Sequence, residues 1–409
     1  MRKRMISLLV ASAILSIAGT TAFAEEAKKI EAAKPIVTEM TLQEAIKYAG
    51  EHNSTIRDLK KGYNDYYDTY TDVEKATNKV KNRPNGISVD LDSTISLSTI
   101  MSALSSSGSY SKTTEDDYAI YKGYSLENSE NLYNDLLKAK ESAEQGIYYG
   151  IEQLTYDIEK TEKDIEYYKN TKKKLEKDLL ISQIMLKLKM ITNLQYSKAK
   201  NAISQMDSTI KITNNILEAK KNALKGFVGI DRNTDLKVKH EKLEYKAIKD
   251  LNLEDITKQA LEKRADALKA RHKLRGKELD FLVYDYEKNA IAFDTYNDAQ
   301  IAFENEKNDY ENGINDIKFN VQKVYDALIS SQNAYNDALE SLNNTDETHR
   351  INKLKYANGM ISTIELMGSE LAYQKAQIDL YKALSDNVLA NKRFELACTI
   401  ADPDATAGQ

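Results

Sequence analysis

From about Leu126 to Leu188 the chain places seam residues at alternating steps of four and three. Tyr133, Leu137, Lys140 and Glu144 lead into Ile147, Ile151, Leu154, Ile158, Thr161 and Ile165, and the series runs on through Tyr168, Lys172 and Leu175 to Leu179. That period, with its polar interruptions, predicts one helix in coiled-coil contact. At 1.5 Å per residue it is about 95 Å long. A second run returns from Thr192 to Phe227 on Ile203, Met206, Ile210, Leu217 and Leu224, and Gly226 and Gly229 close it. Between the two runs, Leu186 to Tyr196 (LKLKMITNLQY) reads as the tip of a helical hairpin.

The layout then recurs. Leu251 to Arg271 repeats Met40 to Lys60, with Leu42 matching Leu253, Ala49 matching Ala260 and Glu51 matching Glu262. A four-three seam resumes at Ile317, Val321, Val324 and Leu328 and leads to a second tip, Tyr356 to Leu366 (YANGMISTIEL). There Met360-Ile361-Ser362 matches Met190-Ile191-Thr192. The chain is a tandem duplication of one helical unit. Its last helix, Ser362 to about Thr399, carries two apolar stripes, one through Ile364, Met367, Leu371 and Ile378 and one through Leu366, Tyr373, Ala376 and Leu380. A helix with two seams can touch neighbours on both flanks, as a stave in a wall does. That favours a closed ring of helices over an isolated hairpin, though a four-helix bundle would use the second stripe equally well.

The units differ in one insert. In the first, Thr41 with Glu44 forms a capping-box pattern, a second helix runs from about Ser54 to Asn82, and Arg83-Pro84-Asn85-Gly86 ends it. Ile87 to Thr99 then alternates apolar and polar residues, which predicts a strand. A weaker return near Tyr118 to Tyr124 would complete at most one short β-hairpin, over about 87–124. The second unit lacks this insert, and Phe281 to Asp316 reads as helical with a reversal at Asn297-Asp298 or else at Gly313. The expected organisation is a signal peptide over 1–24, a linker over 25–37, a first helical repeat over 38–230 and a polar connector over 231–250. A second repeat over 251–401 and a tail over 402–409 follow. The fold class is mainly α: long antiparallel coiled-coil-like hairpins in two tandem repeats.

Composition supports long helices, since Pro84 and Pro403 bracket a proline-free interior and 30% of the 409 residues are charged. Arg2, Lys3 and Arg4 precede an apolar run and Ala22-Phe23-Ala24, the pattern of a secretory signal cleaved after Ala24. Cleavage removes three positive charges and takes the formal charge from −5 to −8. An acidic exported chain is a poor match for nucleic acid or an anionic lipid surface. The single cysteine, Cys398, reads as a small packed residue. His52, His240, His272 and His349 are scattered, with no metal-ligand spacing and no Gly-rich phosphate loop, so no catalytic site, metal or cofactor is expected. Tyr63, Tyr66, Tyr67 and Tyr70 suit half-buried helix contacts.

Thr41-Leu42-Gln43-Glu44-Ala45 with its copy Asn252-Leu253-Glu254-Asp255, and Tyr356-x-x-Gly359-x-x-Ser362-x-x-Glu365-Leu366, resemble the outer-membrane efflux proteins of the TolC type. The match spans about Met40 to Ile400. The resemblance implies a homotrimer whose helices close into a tunnel, docking a periplasmic adaptor and an inner-membrane pump at the tips. Carried over by position, Met190, Ile191 and Thr192 with Gly359, Met360, Ile361 and Ser362 are the adaptor-docking tips, and Glu365 falls at the aperture. Lys189 stands where the family has glycine in the first tip. A trimer with one strand pair per chain is also short of strands, because a barrel of about eight only fills its own interior. Two readings stay open: an exported exit duct in the cell envelope with a reduced or missing barrel, and an exported coiled-coil structural or interaction protein that has lost the pore.

Overall fold

The computed structural model describes residues 37–81, 123–239, 242–247, 252–286 and 293–403. The expected signal peptide, nearly all of the linker, the strand Ile87 to Thr99 and the return strand up to residue 122 lie outside them. The described residues form eight helices and two short strands in two repeats. The first repeat runs β1 (Val37–Thr41), α1 (Leu42–His52), α2 (Ser54–Lys81), α3 (Tyr124–Lys187), α4 (Asn193–Val228) and β2 (Asp235–Lys239). The second runs α5 (Leu253–Lys263), α6 (Ala265–Tyr286), α7 (Phe293–Ala357) and α8 (Thr363–Thr399). The mainly α class is as the periodicity requires.

The 64 residues of α3 and the 65 of α7 each extend for nearly 100 Å at about 1.5 Å per residue. They run the length of the molecule, and the shorter helices pair with them end to end. Towards one end, α2 meets α3 through the stacked rings of Tyr63 and Tyr133, 4.8 Å apart. There α3 meets α6 through His272–Asp135 at 2.6 Å and Arg275–Glu127 at 2.7 Å. α6 in turn meets α7 through Phe281–Phe303 and Lys273–Glu306. Towards the other end the lateral order is α4, α3, α8, α7. Lys172–Asp207 joins α3 to α4, Asp164–Lys382 and Asn170–Gln374 join α3 to α8, and His349 joins α7 to α8 by stacking on Tyr373. α8 therefore packs on α3 with one flank and on α7 with the other, which is why it carries two stripes.

Two equivalent cores sit where the short helices cross the long ones. The shift that carries Met190 onto Met360 also carries Ile151 onto Val321 and Leu224 onto Phe394. All four are buried, the first of each pair in the first core and the second in the other. Ala49 and Ala260, fully buried, let the backbones of α1 and α5 come close to the long helices packed on them, α3 and α4 in the first repeat and α7 and α8 in the second. Cys398 stands at the position of Val228, and burial pushes its thiol up to about 11. At the end of α4, Gly229 has φ +83° and lies so close to the α1–α2 corner that a Cβ would stand 2.9 Å from the carbonyl of His52. Only glycine fits there.

Three sequence expectations are corrected. Asn297-Asp298 and Gly313 lie inside α7, so the chain reverses at neither; α6 ends at Tyr286, α7 begins at Phe293, and the two helices pair side by side. One helical glycine costs only about 1 kcal/mol, too little to break a helix held by packing along its length. Gly226 likewise lies within α4, which Gly229 alone terminates. The polar connector contains β2, which pairs in parallel with β1, Val37 opposite Asp235 through Thr41 opposite Lys239. In addition Asp402, placed in the tail by sequence, is 1% exposed, clamped by Arg393 at 2.8 Å through both oxygens and by Asn320 at 2.8 Å.

Candidate docking tips

Each tip is one helix end joined to one helix start by the same set of backbone bonds. At the first, Lys189 N–H donates to the Leu186 carbonyl at 3.0 Å and Met190 N–H to that of Met185 at 2.8 Å. At the second, Gly359 N–H donates to Tyr356 at 2.9 Å and Met360 N–H to Lys355 at 2.8 Å. These paired bonds satisfy the last free carbonyls of α3 and α7, and they need a left-handed residue at the corner. Gly359 supplies it with φ 69° and Lys189 with φ 58°. Lys189 therefore makes the same turn as the glycine.

The outgoing helices start alike. Thr192 Oγ1 accepts from the backbone N–H of Gln195 at 3.2 Å, and Gln195 Oε1 accepts from the Thr192 N–H at 2.8 Å. Ser362 and Glu365 make the same reciprocal pair, at 3.2 and 2.7 Å. Glu365 spends its carboxylate on this capping box, and the N–H of Ser362 holds it below the usual carboxylate range. Gln195 was missed in the sequence, although its place three residues after Thr192 is the capping-box signal.

Both tips lie at one end of the molecule. α3 runs into the first and α8 leaves the second, and along their antiparallel contact Asn170 meets Gln374 and Lys174 lies over Gly368. The tips present apolar side chains to solvent: Met190 is 65% exposed, Met360 71%, and Leu188, Leu194 and Leu354 more than half. Ile191 and Ile361 are half-buried behind them, while Thr192, Gly359 and Ser362 are exposed. An exposed apolar cluster at a helix end is a candidate interaction surface.

Among the described residues no group of three or more His, Cys, Asp or Glu side chains could hold a metal ion. No helix among them is long and apolar enough to cross a membrane. His349 is buried against Tyr373, hydrogen-bonded to Ser369 Oγ at 3.2 Å, and burial lowers its pKa. Tyr66 reaches Ser129 Oγ at 3.3 Å, and Tyr67 and Tyr70 join Tyr63 around Tyr133, so the tyrosines serve helix contacts.

No family model matches the chain, and no curated protein matches it in sequence. Solved structures do match its fold. A membrane protein from Pseudomonas aeruginosa superposes with a TM-score of 0.61 at 12% identity, covering 91% of this chain and 92% of its own. The outer membrane protein VceC from Vibrio cholerae does so with 0.59 at 11% identity, covering 87% and 95%. The Campylobacter jejuni CmeC outer membrane channel gives 0.59 at 10% identity, covering 93% of each. At such identities the likeness is one of fold: the chain has the architecture of these membrane proteins over nearly its whole length.

Proposed function

We propose that the chain is an exported exit-duct component of an efflux or secretion system. In this reading it is a homotrimer in the cell envelope whose helices close into a tunnel. Its tips, Met190, Ile191 and Thr192 with Gly359, Met360, Ile361 and Ser362, dock an extracytoplasmic adaptor that links the duct to an inner-membrane pump. The observation that carries the reading is the pair of tips: one turn built twice, at one end, with an exposed methionine at each. Methionine adapts its shape to an apolar partner, which suits a docking knob. Glu365 sits one turn behind the second tip, at the aperture position, and acts there first as the cap that shapes the turn. No step of this function needs a cofactor or catalytic group.

The second reading, an exported coiled-coil protein that has lost the pore, is favoured by the short connection between α6 and α7, which leaves the second repeat without a counterpart of the Ile87 to Thr99 insert. A photo-crosslinking amino acid placed at Met190 and at Met360 in living cells separates the two. The duct reading expects both positions to capture an extracytoplasmic adaptor. Capture of none, with the protein exported and helical, would leave the second reading.

A further inference from the structure

The two repeats fold alike near their tips but carry opposite charge. Residues 165–215, centred on Met190 of the first tip, hold ten lysines and four acidic residues, a net +6 in a chain whose formal total is −5. The equivalent residues 335–385 of the second repeat hold five basic and seven acidic residues, a net −2. Eight of the ten lysines are exposed. The other two, Lys172 and Lys174, are paired with Asp207 and Asp178.

The charge is organised along one face of α3. Lys169, Lys173 and Lys177 recur at steps of four, and Leu180, Ile184 and Leu188 continue the face to the tip. The lysines are exposed, and so are the three apolar residues, at 61, 57 and 65%. One turn beyond Lys169 the face becomes acidic at Glu166, so the basic band is local. The equivalent face of α7 reads Leu339, Asn343 and Glu347, then Arg350, Leu354 and Asn358, with Glu347 paired to Arg350 at 2.7 Å. That is the ordinary mixture of a solvated helix.

The α3 face stays open in the row α4, α3, α8, α7. Lys160 and Asn170 of α3 are taken by α8, and Thr161 and Lys172 by α4. At 3.6 residues per turn these two sets lie less than half a turn apart on one side of the helix. The stripe lies on the wider side, which is the convex one when a row of helices curls. It belongs to neither edge of the row and is available however many copies join.

We infer that this face of α3 takes an amphipathic helix of the extracytoplasmic partner. Leu180, Ile184 and Leu188 meet the apolar residues of that helix, and Lys169, Lys173 and Lys177 meet Asp and Glu residues about three turns further along it. The inference rests on the docking reading above and adds the chemistry of the partner and the unequal parts of the repeats: the first hairpin is the charged anchor, and the second has none. Complementary charge steers the encounter and fixes the register, while apolar burial holds the complex. A phosphate-bearing polymer or a lipid surface would use the lysines alone. The apolar half of the stripe, continuous with the basic half, fits a folded helix.

The test places a photo-crosslinking amino acid at Lys173, Ile184 or Met190 of the full chain in living cells, with Asn343 as the control on the second repeat, and reads the linked peptides by mass spectrometry. The protein captured at Met190 should also be captured at Lys173 and Ile184, through one helical segment that is acidic where it meets Lys173 and apolar where it meets Ile184. Asn343 should capture little. Changing Lys169, Lys173 and Lys177 together to Glu should lower capture at Met190 about tenfold, and changing them to Gln should lower it less. Asn343→Glu with Asn344→Glu should leave it unchanged. If Met190 captures a protein but the stripe does not, or the linked segment is not acidic, or the charge reversal has no effect on an exported, helical chain, the proposal fails and the docking reading stands. Links from Lys173 to lipid or cell-wall polymer alone would overturn it equally. If no position captures a protein, both fail.

Discussion

Lys189 and Gly359 hold the same left-handed corner in the two tips, at φ 58° and 69°, and both pass their N–H to the carbonyl three residues back. A residue with a Cβ pays roughly 1 kcal/mol or more in that region, and glycine is nearly free of the penalty. Lys189→Gly is therefore expected to stabilise the first tip by roughly 0.5–1 kcal/mol, and Gly359→Ala to destabilise the second by about 1 kcal/mol. Hydrogen exchange at Met190 and Met360, the amides held by those turns, reads each change separately.

The repeats also exchange volume near the cores. In the first, Gly150 faces the ring of Phe227, whose Cε1 would lie 2.5 Å from an added Cβ. In the second, the equivalent positions are Asn320 and Ala397, and Arg264 fills the space, donating to the Ala397 carbonyl at 2.9 Å and to Asn320 Oδ1 at 2.8 Å. Asn53 occupies the place of Arg264 in the first repeat and donates to the Phe227 carbonyl at 2.8 Å. Gly150→Ala is expected to cost about 1–3 kcal/mol by overpacking. Adding Phe227→Ala should cost less than the sum of the two single changes, a coupling that a double-mutant cycle in denaturant measures.

Asp402 ties the last helix to α7 and is almost wholly buried, so removing it takes two hydrogen bonds from Arg393 and one from the amide of Asn320. Asp402→Ala is expected to lower stability by about 3 kcal/mol, the usual loss when one partner of a buried pair is deleted. Asp402→Asn keeps the shape and part of the hydrogen bonding and should lose less. Thermal unfolding followed by circular dichroism ranks the two.

The duplication, the hairpins, the two-sided last helix and the positions of the tips were all legible in the sequence, because the four-three period and the repeated Met-Ile-Thr/Ser steps are local signals. The end of α6 at Tyr286 and the start of α7 at Phe293 were not, since the sequence between them contains neither Gly nor Pro, whereas Gly313 does punctuate a helix that continues through it. The β1–β2 pair was not legible either. Each strand has five residues, and they meet across nearly the whole first repeat. At the tips, Gly359 and Ser362 read directly. That Lys189 could hold the same turn was invisible, because nothing in a lysine's neighbours announces a positive φ. Nor could pattern alone show that Arg264 and Asn320 together replace an aromatic ring.

The two capping boxes differ in one chemical respect. Glu365 titrates and Gln195 does not. The Glu365 pKa is lowered in the folded chain from 4.5, chiefly by the Ser362 N–H, so its contribution is present above that value and is lost as pH falls through the lowered one. Acidification below about pH 4 should loosen the second tip and leave the first unchanged. The ratio of hydrogen-exchange protection at the two helix starts, followed from pH 6 to pH 3, reports the difference. Glu365→Gln should abolish the pH dependence while keeping the turn.

In the proposed function this chain is one stave set of a closed helical tunnel. The mass of the purified full chain, determined by light scattering with bound detergent accounted for, tests it most directly. The account predicts a stable assembly of three chains, unchanged on dilution. A monomer or a dimer at all concentrations, with and without detergent, would contradict it.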